Sequence, residues 1–247
     1  MEFLEIEDWR SFGLIVHGFG MKRTEGRKVT KRDWWGEKIR VGQEVFPLVS
    51  LRQVHGDSVG VFNGKSWKAK ELWWEKGDGV ITRVQGYALG VFTADCLPIL
   101  FFDPVQPAVG VVHVGWRGTA KGISQKAVGK MKETFNSRSE NILVAMGPGI
   151  GPCCYEVDDP VKKAFAEGGL PWELISSSRG KGRWSLDLYQ ANIYLLERAG
   201  VKRKNIHLLA LCTSCCQDIF HSYRAEGETR GRQLNFIALR EEVKKKS

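Results

Sequence analysis

Four short runs of β-branched and aromatic residues follow one another in the middle of the sequence, and glycine, proline or aspartate bounds them. The runs are Gly79–Thr82, Ala88–Thr93, Ile99–Phe102 and Val109–Val114. Apolar runs of this length between turn residues are typical of β-strands rather than helices. The middle of the chain is therefore predicted to consist mainly of strands.

Further strand-like runs lie on both sides of this region, and three segments carry helical spacing. The additional strands are predicted at Phe12–His17, Val45–Val54, Ile142–Met146, Ile206–Leu211 and Leu234–Leu239. Helices are predicted at Ala120–Phe135, Pro160–Ala166 and Leu186–Ala199, and a loop at Lys22–Gln43. Strands outnumber helices and do not alternate regularly with them, which favours an α+β fold over a doubly wound sheet. We expect a single domain over residues 1–247, with mixed or antiparallel β-sheets flanked by helices.

Composition excludes several classes of protein. The 247 residues are 43% hydrophobic and 26% charged, which is ordinary for a globular protein. No apolar run reaches the ~18 residues of a membrane span, and the acidic start Met1–Asp8 is unlike a secretory signal. The six cysteines include two adjacent pairs, Cys153-Cys154 and Cys215-Cys216, and are not a disulfide framework. We therefore expect a reduced, cytoplasmic protein.

Basic residues are in excess, and the net charge is +9. They cluster at Lys22–Arg32, Arg179–Arg183, Lys202–Lys204 and Lys244–Lys246. One interpretation is a nucleic-acid-binding protein. Because none of these clusters has interleaved aromatic residues, a solvated surface is the preferred interpretation. A third is that some arginines bind an anionic small substrate such as phosphate.

Three metal-binding side chains lie in turn-like contexts at or next to the ends of apolar runs: His55, Cys96 and His113. Each alone is more often a structural residue than a ligand. Together, two imidazoles and one thiolate make a complete protein ligand set for a catalytic zinc, which keeps a fourth position open. Glycines at Gly115 and Gly118 also bracket a turn whose backbone amides favour an anion.

A second group of cysteines, Cys212, Cys215 and Cys216, contains a C-x-x-C spacing. A structural zinc needs four ligands, usually from two such pairs, and a second C-x-x-C is missing from the sequence. We therefore predict that these three cysteines pack as reduced thiols and bind no metal.

Five motifs, in this order, resemble one known family over most of the chain, from about His17 to Leu239. They are Gln53-Val-His-Gly56, Thr93-Ala-Asp-Cys-Leu-Pro98, His113-Val-Gly-Trp-Arg-Gly-Thr119, Gly147-Pro-Gly-Ile-Gly-Pro-Cys-Cys-Tyr-Glu-Val157 and Phe220-His-Ser-Tyr-Arg224. The sequence is similar to the laccase-domain proteins, also described as multicopper polyphenol oxidase-like proteins, purine nucleoside phosphorylases or peptidoglycan editing factors. Gly77-Asp-Gly-Val-Ile-Thr82 and Leu186-Asp-Leu188 are further similar pieces.

The resemblance implies an α+β fold and a zinc ion held by His55, Cys96 and His113. It also implies phosphorolysis of purine nucleosides (adenosine, inosine, guanosine and methylthioadenosine) and hydrolytic deamination of adenosine. The chain departs from the family pattern at Lys22–Thr30, where a Gly-Gly-Val-Ser stretch is usual. Zinc has no redox chemistry, and five histidines are too few for a multicopper enzyme, so copper is the less favoured metal.

Phosphorolysis requires arginines that position phosphate, and our candidates are Arg52, Arg117 and Arg232. Asp95 or Glu156 is the candidate general acid or base, with Arg117 a further catalytic candidate. Asp95 has a second interpretation, as a residue that orients a histidine.

Two other functions remain open at this point. One is a Cys-His hydrolase acting on cell-wall precursors, with Cys96 as nucleophile and His113 as base. The other is a non-enzymatic nucleic-acid-binding protein. Purine nucleosides and phosphate are the expected partners, nucleic acid and membranes are not, and a monomer or homodimer is expected.

Overall fold

The computed structural model describes residues 3–22, 38–64, 75–227 and 231–241. Two six-stranded sheets and one three-stranded sheet dominate this part of the chain, with helices on one side. The fold class is therefore α+β with mixed sheets flanked by helices, as predicted. No helix in these residues is long and apolar enough to cross a membrane.

The first six-stranded sheet is antiparallel except where β4 meets β7. Its strands, in spatial order, are β1 (Phe3–Leu4), β2 (Ile15–Gly20), β15 (Gln233–Leu239), β7 (Ala88–Thr93), β4 (Glu44–Val49) and β3 (Lys38–Val41). The second sheet has parallel pairs at both edges and antiparallel pairs between them. Its order is β14 (Ile206–Leu208), β10 (Leu143–Met146), β8 (Leu97–Asp103), β9 (Ala108–Val114), β6 (Gly79–Thr82) and β5 (Val59–Phe62).

The third sheet is small and antiparallel, and short helices surround it. Its order is β11 (Glu156–Val157), β13 (Arg183–Leu186) and β12 (Ser176–Gly180). In the described residues the helices are α1 (Glu7–Arg10), α2 (Trp116–Ala120), α3 (Ile123–Phe135), α4 (Asp159–Glu167), α5 (Trp172–Ile175), α6 (Leu188–Arg198) and α7 (Tyr223–Glu226).

The second sheet is apolar throughout because both of its faces are buried. In β8, Leu100 and Phe102 pack against the first sheet, whereas Ile99 and Phe101 pack against α3 and α6. Successive side chains of a strand point to opposite faces. A strand between two packed layers therefore needs apolar residues at every position, which is why the central runs show no alternation.

Most predicted elements are confirmed, and the boundaries that moved have local causes. The helix predicted from Ala120 begins at Ile123, because Gly122 has a left-handed φ of 72° and separates α2 from α3. The strand predicted to extend from Val45 to Val54 ends at Val49, and residues 50–58 form a loop.

Other boundaries also differ from the predictions: the strand predicted at Ile206–Leu211 ends at Leu208, and the helix predicted from Leu186 begins at Leu188. The first strand begins at Ile15, after Gly13 with its φ of 64°. The predicted loop Lys22–Gln43 contains β3 at its end, and its residues 23–37 lie outside the described part.

Strand register brings two of the metal-ligand candidates, Cys96 and His113, to the same end of neighbouring central strands in the second sheet. β6 pairs with β9 so that Gly79 lies opposite Val112, which places the preceding Asp78 beside the following His113. β8 pairs with β9 so that Leu97 lies opposite Val114, which places Cys96 at the same end of these strands as His113.

Replacing Phe101 by alanine tests the layer between sheet and helices. Phe101 is fully buried, so we expect the free energy of unfolding to fall by about 3–5 kcal/mol in chemical denaturation. The control is Leu174→Ala, because Leu174 is 76% exposed and its loss should change stability by less than about 0.5 kcal/mol. Equal small effects for the two variants would contradict this layer arrangement.

Candidate metal centre and pocket

A buried carboxylate, Asp78, organises the site. It accepts hydrogen bonds from the backbone N–H groups of Val54, His55 and Gly56, at 3.2, 2.9 and 2.6 Å. Its Oδ1 also lies 2.8 Å from Nδ1 of His113. One carboxylate thus holds the loop that carries one histidine and the ring of the other.

His55 lies in the loop between β4 and β5, not at a strand end as the sequence suggested. Its φ is 58°, a left-handed conformation that non-glycine residues rarely adopt. The three hydrogen bonds from this turn to Asp78 stabilise that conformation. The imidazole of His55 is exposed at the pocket surface, and its ring centroid lies 4.8 Å from that of His113.

Cys96 and His113 complete the cluster. One side-chain atom each of His55, Cys96 and His113 that could bind a metal lies within 4.8 Å of the other two. Gly115 packs against them: a Cβ at this position would lie 3.0 Å from Sγ of Cys96 and 3.5 Å from the His55 ring. A larger residue at Gly115 would therefore crowd the cluster.

The three charged groups shift one another's pKa values. Burial disfavours the Cys96 thiolate, but the positive charge of His113 outweighs it and lowers the pKa of Cys96 to about 6. Burial also disfavours a charged His113, yet the Cys96 thiolate and the Asp78 hydrogen bond raise the pKa of His113 to about 9. Burial likewise disfavours an ionised Asp78, but hydrogen bonds, above all from His113, lower its pKa overall. At neutral pH the cluster is thus carboxylate, imidazolium and thiolate, a charge-paired nucleophile or metal site.

The cluster lines a cavity of about 420 Å³. This volume lies within the ~300–1,000 Å³ range of small-molecule pockets. Aromatic rings and arginines form much of the remaining wall. The lining residues are His55, Phe92, Ala94, Asp95, Cys96, His113, Gly115, Trp116, Arg117, Ile150, Tyr155, Leu188, Tyr223, Arg224 and Arg232.

Two of the three predicted phosphate-binding arginines line this pocket. Arg117 is exposed and stacks over Trp116, with its guanidinium carbon 4.3 Å from the ring centroid. Arg232 also lines the cavity. Arg52 does not: it is exposed, and its backbone bridges to Lys76. The structure therefore does not bring Arg52 together with the other candidates.

Asp95 lines the pocket but does not orient a histidine, because Asp78 is the carboxylate that pairs with the His113 ring. The Asp95 carboxylate instead accepts the Thr213 hydroxyl at 2.7 Å and the Arg224 backbone N–H at 2.6 Å. Glu156 is exposed on β11 and is not among the lining residues. The backbone carbonyl of Glu156 accepts a hydrogen bond from the Arg224 guanidinium.

Sequence reasoning missed Asp78, Tyr155 and Arg224 as site residues. Asp78 had a usable signal, because it directly precedes the strand Gly79–Thr82 in one of the family-like motifs. Arg224 donates to the carbonyls of Cys154 and Glu156, at 3.1 and 3.0 Å, and so builds the pocket wall. Burial raises the pKa of Tyr155, which keeps its hydroxyl protonated as a hydrogen-bond donor.

The C-terminal cysteines have neighbours that C-x-x-C spacing does not reveal. The sequence contains no second C-x-x-C, but the structure places Cys153 and Cys154 beside Cys212 and Cys215. The second pair is an adjacent Cys-Cys about sixty positions earlier in the chain, so no C-x-x-C spacing revealed it. All six cysteines are free thiols.

Comparison with known proteins agrees with this architecture. Residues 26–240 match the family model described as multi-copper polyphenol oxidoreductase laccase. The chain is 42% identical over 170 residues to purine nucleoside phosphorylase YlmD of Geobacillus stearothermophilus, covering 67% of this chain and 61% of that protein. It is 34% identical over 204 residues to adenosine deaminase RL5 from an unknown prokaryotic organism, covering 81% of this chain and 78% of that protein.

A solved structure is also similar. The crystal structure of YlmD from Geobacillus stearothermophilus superposes with a TM-score of 0.82 at 31% identity, covering 97% of this chain and 99% of that chain. The protein has two facing mixed sheets and belongs to the α+β class. A His-Cys-His cluster that could hold a metal ion lies at the ends of central strands in one of these sheets. The chain belongs to the laccase-domain family, in which relatives carry the name purine nucleoside phosphorylase. In the sequence comparison, the match spans about three fifths of the first such relative.

Titration of His113 by NMR in metal-free protein tests the charge arrangement. We expect a pKa near 9 in the unaltered chain. Cys96→Ser and Asp78→Asn each remove one negative neighbour, so both should lower that pKa, by on the order of one unit or more. The internal control is His17, whose pKa burial lowers to about 4 and which should not respond. A His113 pKa near the ordinary 6.5 in the unaltered chain would contradict the pairing.

Proposed function

We propose that this chain is a zinc-dependent purine nucleoside phosphorylase that also hydrolytically deaminates adenosine. The observation that carries the proposal is the convergence of His55, Cys96 and His113 on one wall of the 420 Å³ cavity. The names of two relatives, a purine nucleoside phosphorylase and an adenosine deaminase, support the choice of substrate class.

The residues present fit zinc. Asp78 engages Nδ1 of His113, which leaves Nε2 of that ring for a metal, the carboxylate–histidine arrangement common at zinc sites. Cys96 supplies the thiolate, and the described residues bring three protein ligands together here, which would leave a fourth position on the metal open. A zinc ion held there supplies Lewis-acid chemistry, activating a nucleophile or stabilising developing negative charge. Copper oxidation centres of this ligand type commonly add a weak methionine ligand, and no methionine is among the lining residues.

The rest of the pocket suits a purine nucleoside and phosphate. Trp116, Tyr155 and Tyr223 offer ring faces and polar edges for a planar base. Arg117 and Arg232 offer guanidinium donors that match the geometry of phosphate oxygens. A single cavity thus has surfaces for both reactants of phosphorolysis.

In phosphorolysis, a phosphate oxygen bonds to C1′ of the ribose as the C1′–N9 bond breaks, and the bonding pair leaves with the purine. The arginines hold phosphate against the sugar and so reduce the entropic part of the barrier. Tyr155, protonated because of its raised pKa, donates a hydrogen bond to the departing base. Asp95 holds Thr213 and the backbone of Arg224 in place, and we assign it a positioning role.

Product analysis after incubation with adenosine tests the proposal. With phosphate we expect adenine and ribose 1-phosphate, and without phosphate we expect inosine. His113→Ala should abolish both reactions, since two protein ligands rarely hold a catalytic zinc tightly. A matched control is His207→Ala, whose side chain lies against Asp8 and Trp9, away from the pocket lining. Full activity of the folded His113→Ala protein would refute the zinc assignment.

Arginine variants separate phosphate binding from the rest of the chemistry. Arg117→Ala should weaken phosphorolysis by about 1.5–3 kcal/mol in kcat/KM for phosphate, the value of a charge-assisted contact, while deamination changes less. Arg52→Ala should leave both reactions near their original rates, because that side chain does not line the cavity. Steady-state kinetics in varied phosphate measures this. Equal losses of both activities in Arg117→Ala would reassign the residue to structure.

A second candidate function has its own observation. The Cys96 thiolate beside His113, which Asp78 orients, resembles a nucleophile, base and orienting carboxylate. Such a trio suits a Cys-His hydrolase, for which cell-wall precursors are the candidate substrates. Alkylation of Cys96 distinguishes the two: a zinc enzyme is protected by bound zinc, whereas a thiol hydrolase is inactivated at the same rate with or without zinc.

A further inference from the structure

Four thiols from two distant segments meet beside the pocket. The sulfur atoms of Cys153, Cys154, Cys212 and Cys215 all lie within 4.8 Å of one another. The Sγ of Cys215 is 3.5 Å from that of Cys153 and 3.4 Å from that of Cys154. This cysteine cluster shares no residue with the His55, Cys96 and His113 site.

The sulfur–sulfur distances are those of ligands around one metal ion. A disulfide would require about 2.05 Å between two sulfur atoms, and none of the four is bonded to another. In a tetrahedral zinc site with Zn–S bonds of about 2.3 Å, the sulfur atoms lie about 3.8 Å apart. The two shortest observed separations, 3.4 and 3.5 Å, are slightly below this edge length, and all four sulfur atoms lie within 4.8 Å of one another.

Backbone hydrogen bonds hold the two segments at this spacing independently of any metal. Gly149 and Cys212 form a parallel bridge, in which Gly149 N donates to Leu211 O and Thr213 N donates to Gly149 O. Gly151 N donates to Sγ of Cys212 at 3.2 Å. Amide groups directed at a thiolate are usual around metal-bound cysteine.

We propose that Cys153, Cys154, Cys212 and Cys215 bind a second zinc ion as a four-thiolate structural site. Four protein ligands leave no open position, so the ion has no substrate-binding role and instead links the two segments. The site is separate from the proposed catalytic zinc and does not rest on it.

The cysteine cluster is connected to residues of the pocket wall, so a second zinc ion would also affect the pocket. Arg224 donates to the carbonyl of Cys154, and Tyr155 follows Cys154 directly and lines the cavity. On the other segment, Thr213 follows Cys212 and donates to Asp95. A zinc ion that fixes both segments therefore braces the wall made by Tyr155, Asp95 and Arg224.

The zinc content of two neighbouring serine variants tests the proposal. Cys215→Ser removes one ligand, and Cys216→Ser is the matched control, because Cys216 is adjacent but lies outside the cluster. Proteins purified under reducing conditions should differ by one zinc per chain: Cys215→Ser loses one equivalent relative to wild type and Cys216→Ser loses none. The Cys215→Ser protein should also unfold at a lower temperature. Equal zinc content in all three proteins would overturn the proposal.

X-ray absorption on a protein with an intact cluster covers the case in which Cys215→Ser fails to fold. His113→Ala removes a ligand of the other site, so its remaining zinc should have four sulfur neighbours at about 2.3 Å. A zinc-free His113→Ala protein with six free thiols, or one with disulfides among the four cysteines by intact mass, would overturn the proposal. Failure of the catalytic zinc proposal gives a different pattern, in which wild type and His113→Ala both hold one zinc bound by four sulfurs.

Discussion

The Asp78 carboxylate is the interaction on which the site depends. It is fully buried, and an unpaired charge there would be costly to the folded state. Three backbone amides and one imidazole compensate for its desolvation. Because the same carboxylate holds the left-handed turn at His55 and the ring of His113, the fold cannot satisfy this buried charge without bringing the two histidines together.

Sheet packing makes that arrangement rigid. β6, β8 and β9 lie in a sheet buried on both faces, and Asp78, Cys96 and His113 lie at the ends of these strands. The wall that faces this cluster comes from other elements: Arg117 lies in α2, Arg224 lies in α7, and Tyr155 directly precedes β11.

The sequence predicted the fold class and the His55, Cys96 and His113 cluster, because apolar runs and metal-binding side chains are local signals. It did not predict that Asp78 pairs with His113, since that contact follows from the register between β6 and β9. It placed Arg52 in the site, and it did not place Cys153 and Cys154 beside Cys212 and Cys215. Spacing along the chain does not show which loops meet in the fold. Some helix and strand boundaries shifted beside Gly13 and Gly122, whose backbones are left-handed, and two predicted strands ended earlier, at Val49 and Leu208, where loops begin.

Anomalous diffraction at the zinc edge, from crystals of the purified protein, tests the central claim most directly. We expect a peak among His55, Cys96 and His113, at about 2.0–2.1 Å from each nitrogen and about 2.3 Å from the sulfur, with the His113 ring oriented by Asp78. Crystals that show no peak there after growth or soaking in zinc would contradict the account.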